Sequence, residues 1–283
     1  MGIGFCLESQ ETEKSHNMMA SWSKSLSLIL VLLPFSVMAN FDHGEWDELL
    51  KQNVIVLAGA TATQVNYDGM MADRSKLRGY LTSVAEVDRQ VFENWEHPIQ
   101  LAFLINAYNA WTVELVLTEY PDIDSIKDIG FLFSSPWRKD IVSLFGQQVS
   151  LDDIEHEMIR GWNRYQEPRI HFAVNCAAIG CPSLRAEAFR GEILGQQLEE
   201  NTRLFLSDNS RNYFSNGRLY ISSIFDWYEE DFEKAWKGIN SVSEFLLPYA
   251  EVLGLDDGSK SLLRDENIPI RYLRYDWDLN RSP

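Results

Sequence analysis

Apolar residues recur at helical spacing along most of the chain. Phe41 to Val56 carries Trp46, Leu49, Leu50 and Val54 about one turn apart and predicts a first helix. A second follows Asp73, with Leu77, Tyr80, Leu81 and Val84 on one face. The segment from His97 to Tyr120 differs. It is apolar all round, begins with Pro98 in a position suited to a first turn, and stops at Pro121. A helix with no polar face is buried in a domain or in a membrane. The amides of Asn106 and Asn109, with Gln100 and Glu114, favour the interior of a domain. Ile141 to Val149 suits a hairpin about Gly146. Ser150 then caps a helix whose first turn holds Asp152, Asp153 and Glu155. Residues 169–176 read as a buried strand, and Gly180, Cys181 and Pro182 as a turn. Next come a helix over Ile193 to Phe205, a short strand from Arg218 to Ile221, and a helix capped by Ser223 with Phe225, Tyr228, Phe232 and Trp236. A helix near Val242 to Tyr249 and an extended tail, Ile268 to Leu279, complete the pattern. Helices outnumber strands and do not alternate with them. The expected class is α+β: one helix-rich domain around a small, mostly antiparallel sheet.

The N-terminus changes the picture of where the chain works. Residues 19–39 combine Lys24, an apolar run from Leu26 to Leu33, and Val37-Met38-Ala39 as a small-x-small signal. This order predicts a signal peptide, residues 1–39, cut after Ala39, and an exported protein, periplasmic or secreted. Residues 1–17 are polar, with Glu8, Glu11 and Glu13, unlike the start of a leader; this points to Met18 or Met19 as the true start. No repeat or linker interrupts residues 40–283, so a single domain is expected there. With 45% apolar content the chain has enough material for a core. A net charge of −17 without a basic stripe argues against nucleic acid as a partner. No membrane span is expected in the mature protein. No Gly-x-Gly-x-x-Gly and no Walker-type Lys is present, so no cofactor is expected.

Four ordered motifs stand out. They are Phe103-Leu-Ile-Asn-Ala-Tyr-Asn-Ala110; Ser150-Leu-Asp-Asp-Ile-Glu-His156; Ile170-His-Phe-Ala-Val-Asn-Cys176 running to Cys181-Pro-Ser-Leu184; and Tyr275-Asp-Trp-Asp-Leu-Asn280. Together they resemble the Domain of Unknown Function 547 family, over the whole mature chain from Phe41 to Asn280. The resemblance implies domain extent and no assigned activity. The element order is also similar to that of papain-like and transglutaminase-like enzymes, which place a nucleophilic Cys at the start of an apolar helix, with a His-bearing strand later. Here that helix has no Cys, and Asn106 or Asn109 stands at the corresponding place. The analogy implies a relocated nucleophile or an inactive relative.

The candidate chemistry lies on two segments. On the helix after Ser150, Leu151, Ile154, Met158, Ile159 and Trp162 form one stripe, and Glu155 falls inside it. A carboxylate on an apolar face needs hydrogen bonds or a cation. With His156 beside it, Glu155 reads either as part of a carboxylate–imidazole site or as a buried Glu bonded to Arg and backbone amides. On the predicted strand, alternation puts His171 and Cys176 on opposite faces, which weakens a simple pair. Cys176 and Cys181 suit either one small disulfide or a reactive thiol. Asp152, Glu155, His156 and His171 offer metal-ligand types, but their spacing matches no zinc signature, and no metal is expected. Two functions follow. One is a thiol-dependent hydrolase or acyl-transferase, with Cys176 as nucleophile, His171 or His156 as base, Glu155 orienting it, and Asn106 and Asn109 binding substrate. The alternative is a non-catalytic module that binds a small-molecule, peptide or protein partner through an Asn/His/Glu cluster.

Overall fold

The computed structural model describes residues 40–130 and 135–283. The predicted leader, with Cys6, Met18, Met19, Lys24 and the cut after Ala39, lies outside the described residues. Helix α1 (Gly44–Asn53) buries Trp46, Leu49 and Leu50 as the spacing predicts. It stops at Asn53 because the β-branched run Val54-Ile55-Val56 leaves it as strand β1 (Val54–Val56), antiparallel to β2 (Thr63–Val65). Asn66 caps α2 (Tyr67–Ala72), and α3 (Arg74–Ala85) buries its predicted stripe. Asp88 caps the short α4 (Arg89–Glu93).

Helix α5 (His97–Leu117) is buried almost all round. Its buried amides and its carboxylate all have partners. Gln100 donates to the carbonyls of Phe92 and Trp95. Glu114 accepts from Arg74 and Arg78. Asn106 grips Phe189 through both its carbonyl and its N–H, at 2.8 and 3.0 Å. Among the described residues no helix is long and apolar enough to cross a membrane. Helix α5 serves instead as the centre of the larger hydrophobic cluster.

Beyond α5, β3 (Val142–Leu144) and β4 (Gln147–Val149) pair antiparallel. Their turn residues, Phe145 and Gly146, both have positive φ, as a two-residue hairpin turn requires. A π-helix follows over Asp153–Arg160. The C-terminal half contains α6 (Leu194–Ser207), β5 (Tyr213–Ser215), β6 (Arg218–Ser222), α7 (Ile224–Trp227), α8 (Glu229–Phe232), α9 (Val242–Leu246), α10 (Asp257–Arg264) and β7 (Ile270–Leu273). The architecture is α+β. The strands form separate small sheets: two hairpins, and a three-stranded sheet in which β6 pairs antiparallel with β5 and parallel with β7.

One predicted element is corrected. Residues 169–176 are not a strand. Pro168–Phe172 forms a 3-10 turn, with Pro168 at its start and the Glu167 carboxylate accepting from the Arg169 N–H. A short apolar run does not distinguish a strand from a buried turn, and here the Glu-Pro start decided it. The strand beginning with His, part of the likeness to papain- and transglutaminase-like folds, is therefore absent at this place. The segment also runs between two cores: Ile170, Ala173 and Val174 pack in the α5 cluster, and Phe172 in a second cluster with Phe205, Phe225 and Phe245. His171 sits on this seam.

The C-terminal tail returns across the same region. Ile179 and Gly180 donate to the carbonyls of Asp278 and Asp276, Asn280 donates to that of Ala177, and Leu279 to that of Asp124. Gly180 is required by this approach, since a Cβ there would lie 2.8 Å from the Asp276 carbonyl oxygen.

Candidate functional site

A cavity of about 180 Å³ opens between the π-helix, the segment after the 3-10 turn, α7 and the returning tail. Glu155, His156, His171 and Cys176 all line it. Alternation had put His171 and Cys176 on opposite faces. They face one cavity because the 3-10 turn and the irregular chain after it abolish the alternation.

His171 is buried, with its Nε2 2.8 Å from Asp231 Oδ2. A carboxylate only accepts, so Nε2 carries the proton and Nδ1 is the acceptor nitrogen of the neutral ring. The ring stacks on Tyr228, centroids 4.0 Å apart. Burial pushes the His171 pKa down, against the pull of Asp231 and Glu155. Burial alone would raise Asp231, but hydrogen bonds from His171, Arg160 and Lys234 outweigh it and hold this carboxyl well below the usual range. With His171 pushed down and Asp231 held well below the usual range, the pair is a neutral imidazole on a carboxylate at neutral pH.

Glu155 is buried on the π-helix, inside the apolar stripe as predicted. Its Oε1 accepts from the Tyr228 hydroxyl at 2.7 Å. Burial, and then the Glu155 charge, raises the hydroxyl pKa of both Tyr108 and Tyr228, so both stay protonated donors. Glu155 therefore orients Tyr228; the carboxylate on His171 is Asp231. The Nδ1 of His156 lies 2.8 Å from Arg160 Nη1. A guanidinium only donates, so Nδ1 accepts and Nε2–H remains, 3.9 Å from Asp152 Oδ1. Arg160 also lies over the Tyr228 ring at 4.9 Å, and so joins His156, Tyr228 and Asp231.

Cys176 and Cys181 form a disulfide. The Cys176 sulfur lies 3.2 Å from the Tyr275 hydroxyl, and the Cys181 sulfur accepts the Cys176 N–H. In this oxidised state Cys176 carries no thiol. Ala177, inside the closed loop, has φ 60°, which strains a residue with a Cβ.

Asn106 and Asn109 do not join the cavity wall. Asn109 donates to the Ala173 carbonyl at 2.9 Å and accepts the Asn175 N–H at 2.8 Å. Asn175 in turn accepts from Ala177 N–H and from the Asn280 amide. Both amides on α5 thus position the backbone around residues 173–189 and touch no open space. Among the described residues no group of three or more His, Cys, Asp or Glu is arranged to hold a metal ion.

Several site residues were not singled out from sequence. Asp231 lies 60 positions after His171 in an acidic run, Glu229-Glu230-Asp231, that reads as a solvated face. Arg160 had one available signal, its place one turn after His156. Tyr275 and Trp277 belong to the fourth motif, whose role appears only when the tail folds back over Gly180.

A family model described as protein of unknown function, DUF547, matches residues 92–206. This part of the chain belongs to the DUF547 family. The match covers less of the chain than the expected Phe41–Asn280. It holds three of the four motifs and leaves out Tyr275–Asn280. The DUF547 region supplies Glu155, His156, His171 and both cysteines, and residues beyond it supply Asp231, Tyr228 and the tail. No curated protein and no solved structure matches the chain.

Proposed function

We propose that the cavity is a ligand site and that the chain, with Cys176 and Cys181 joined, works as a binding module. The observation that carries this reading is the convergence of Glu155, His156 and His171 on one cavity, each fixed by a buried or half-buried partner, while the neighbouring sulfur is held in a disulfide. Side chains locked in this way bind polar ligands with little ordering cost. Export belongs to the same reading and is supported by the leader pattern of residues 19–39.

A thiol-dependent hydrolase or acyl-transferase is the second reading, favoured by the place of Cys176 on the same cavity wall as His171, whose Nε2 is held by Asp231. A dithiol reductant would open the disulfide and itself be oxidised to a disulfide. The Cys176 thiol would give its proton to His171 Nδ1 and attack an acyl carbon. The leaving alcohol or amine would take that proton, and water or another acceptor would release the acyl group from the thioester.

Two measurements separate the readings. Polar ring fragments are screened by protein NMR on the oxidised protein and on Glu155→Gln. Binding in the oxidised state, mapped to the cavity and weakened in a folded Glu155→Gln, supports the module; no cavity binder in any redox state refutes it. An acetyl ester is then offered with and without reductant. A reductant-dependent acyl adduct on Cys176, detected by intact mass and absent in Cys176→Ser, establishes the thiol reading; no adduct removes it.

A further inference from the structure

The mouth of the cavity is walled by indoles. Trp227 from α7 and Trp277 from the tail lie nearly parallel, 20° apart, with centroids separated by 5.8 Å. Tyr275 abuts both, at 4.8 and 4.5 Å, and Trp137 meets Trp277 edge-on at 5.8 Å. Trp227 is 47% exposed, an uncommon degree of exposure for the largest side chain. The rings come from three separated segments, so a continuous aromatic surface at the cavity mouth is a product of the fold. It adjoins the polar floor formed by Asp152, Glu155 and His156.

Charge restricts what fits such a site. An anion would face the carboxylates of Asp152 and Glu155. A cation would find two of the aromatic faces already in use, since Lys127 Nζ lies 3.3 Å from the Trp277 centroid and Arg160 lies over Tyr228, which leaves Trp227 as the exposed ring. Arg138 also pairs with Asp152 at 3.2 Å. A second cation would be repelled by all three. A plain aromatic ring would stack, but it would cover the carboxylate floor without supplying donors, leaving acceptors desolvated and unpaired. A neutral ring with hydroxyls meets every condition. Its C–H face lies on the exposed Trp227 indole, and its hydroxyls donate to carboxylates and accept from His156.

We propose that the cavity takes a neutral saccharide, with a pyranose ring laid on the exposed Trp227 beside Trp277 and its hydroxyls bonded to Asp152, Glu155 and His156. The proposal rests on the reading of the cavity as a ligand site. It needs no thiol, and so holds with the disulfide closed.

The test is titration of the oxidised protein, followed by tryptophan fluorescence and indole N–H NMR signals. The probes are maltotetraose, cellotetraose and chitotetraose, with tetramethylammonium and benzoate as charged controls. At least one oligosaccharide should bind with a millimolar or tighter Kd and shift the indole signals of Trp227 and Trp277. Trp227→Ala removes an exposed side chain and should stay folded; its affinity should fall about tenfold. Added reductant should leave binding unchanged. The proposal is overturned if all three oligosaccharides fail, if Trp227→Ala binds as well as the parent, or if tetramethylammonium binds more tightly than the sugars. Sugar failure with binding of a control at the cavity refutes only the saccharide. Failure of every probe, together with an empty fragment screen, refutes the ligand-site reading as well.

Discussion

Asp231→Ala is the sharpest probe of the site, because three cations or donors converge on this one carboxylate. His171 Nε2 donates to it at 2.8 Å from a buried ring, Arg160 bonds the same oxygen, and Lys234 bonds the other at 2.7 Å. The Lys234 side chain is well exposed, so its pair is worth at most about 1 kcal/mol. The Arg160 and His171 bonds are shielded and charge-assisted, each worth about 1.5 to 3 kcal/mol. Removal also leaves the Arg160 charge half-buried beside Tyr228 without its carboxylate. The expected loss of stability is about 3 to 6 kcal/mol, measured by urea unfolding at pH 7. A second readout excludes a general packing defect. Nitrogen chemical shifts of His171 should report the Nε2–H tautomer in the parent and a loss of that preference in the variant. The control is Lys234→Ala, expected to cost less than about 1 kcal/mol and to leave the tautomer unchanged. A loss below about 0.5 kcal/mol in Asp231→Ala, with the tautomer unaltered, would refute the reasoning.

The remaining expectations concern the scaffold, acid and export. Asn109→Ala leaves the Ala173 carbonyl and the Asn175 N–H without partners and should cost about 2 to 4 kcal/mol by chemical denaturation; a near-neutral result would show that the loop finds other partners. Gly180→Ala places a Cβ against the Asp276 carbonyl and should release the tail, seen as faster amide exchange at Ile179 and Leu279. Burial lowers His43 to about 4, against the pull of Asp42 and Asp47, and lowers His171 as well. Both rings are held neutral, so their stabilisation is complete above pH 6.5 and drains away as pH falls below it, for His43 down to about 4. His43→Gln should flatten the stability profile in that window by about 1 to 2 kcal/mol, allowing for solvent at a half-buried ring; an unchanged slope would count against it. N-terminal sequencing of exported protein should begin at Asn40, and a product retaining Leu28 to Leu33 would show an anchor instead.

Local signals in the sequence determined much of the scaffold. A 3.6-residue stripe is a property of neighbouring positions, so the buried faces of α1 and α3 and the all-round burial of α5 were readable before any tertiary contact was known. The same holds for Glu155, whose place on an apolar stripe already required a partner. The identity of that partner was not local. Tyr228 is 73 residues away, and no periodicity links two segments that meet only after the chain has crossed between two cores. For the same reason the carboxylate on His171 was sought in Glu155 and stands at Asp231. The short run from Arg169 to Cys176 shows the limit from the other side. Its apolar content fits a strand or a turn equally, and the choice fell to Pro168 and the Glu167 cap, then to the packing of Phe172 in one core and Ile170 in the other. Whether His171 and Cys176 face one cavity hung on that choice, because alternation separates them in a strand and a 3-10 turn does not. Asn106 and Asn109 were legible as buried amides, but only the fold decided that they hold backbone and not ligand, since an amide bonds whichever donor and acceptor the packed chain brings within about 3 Å.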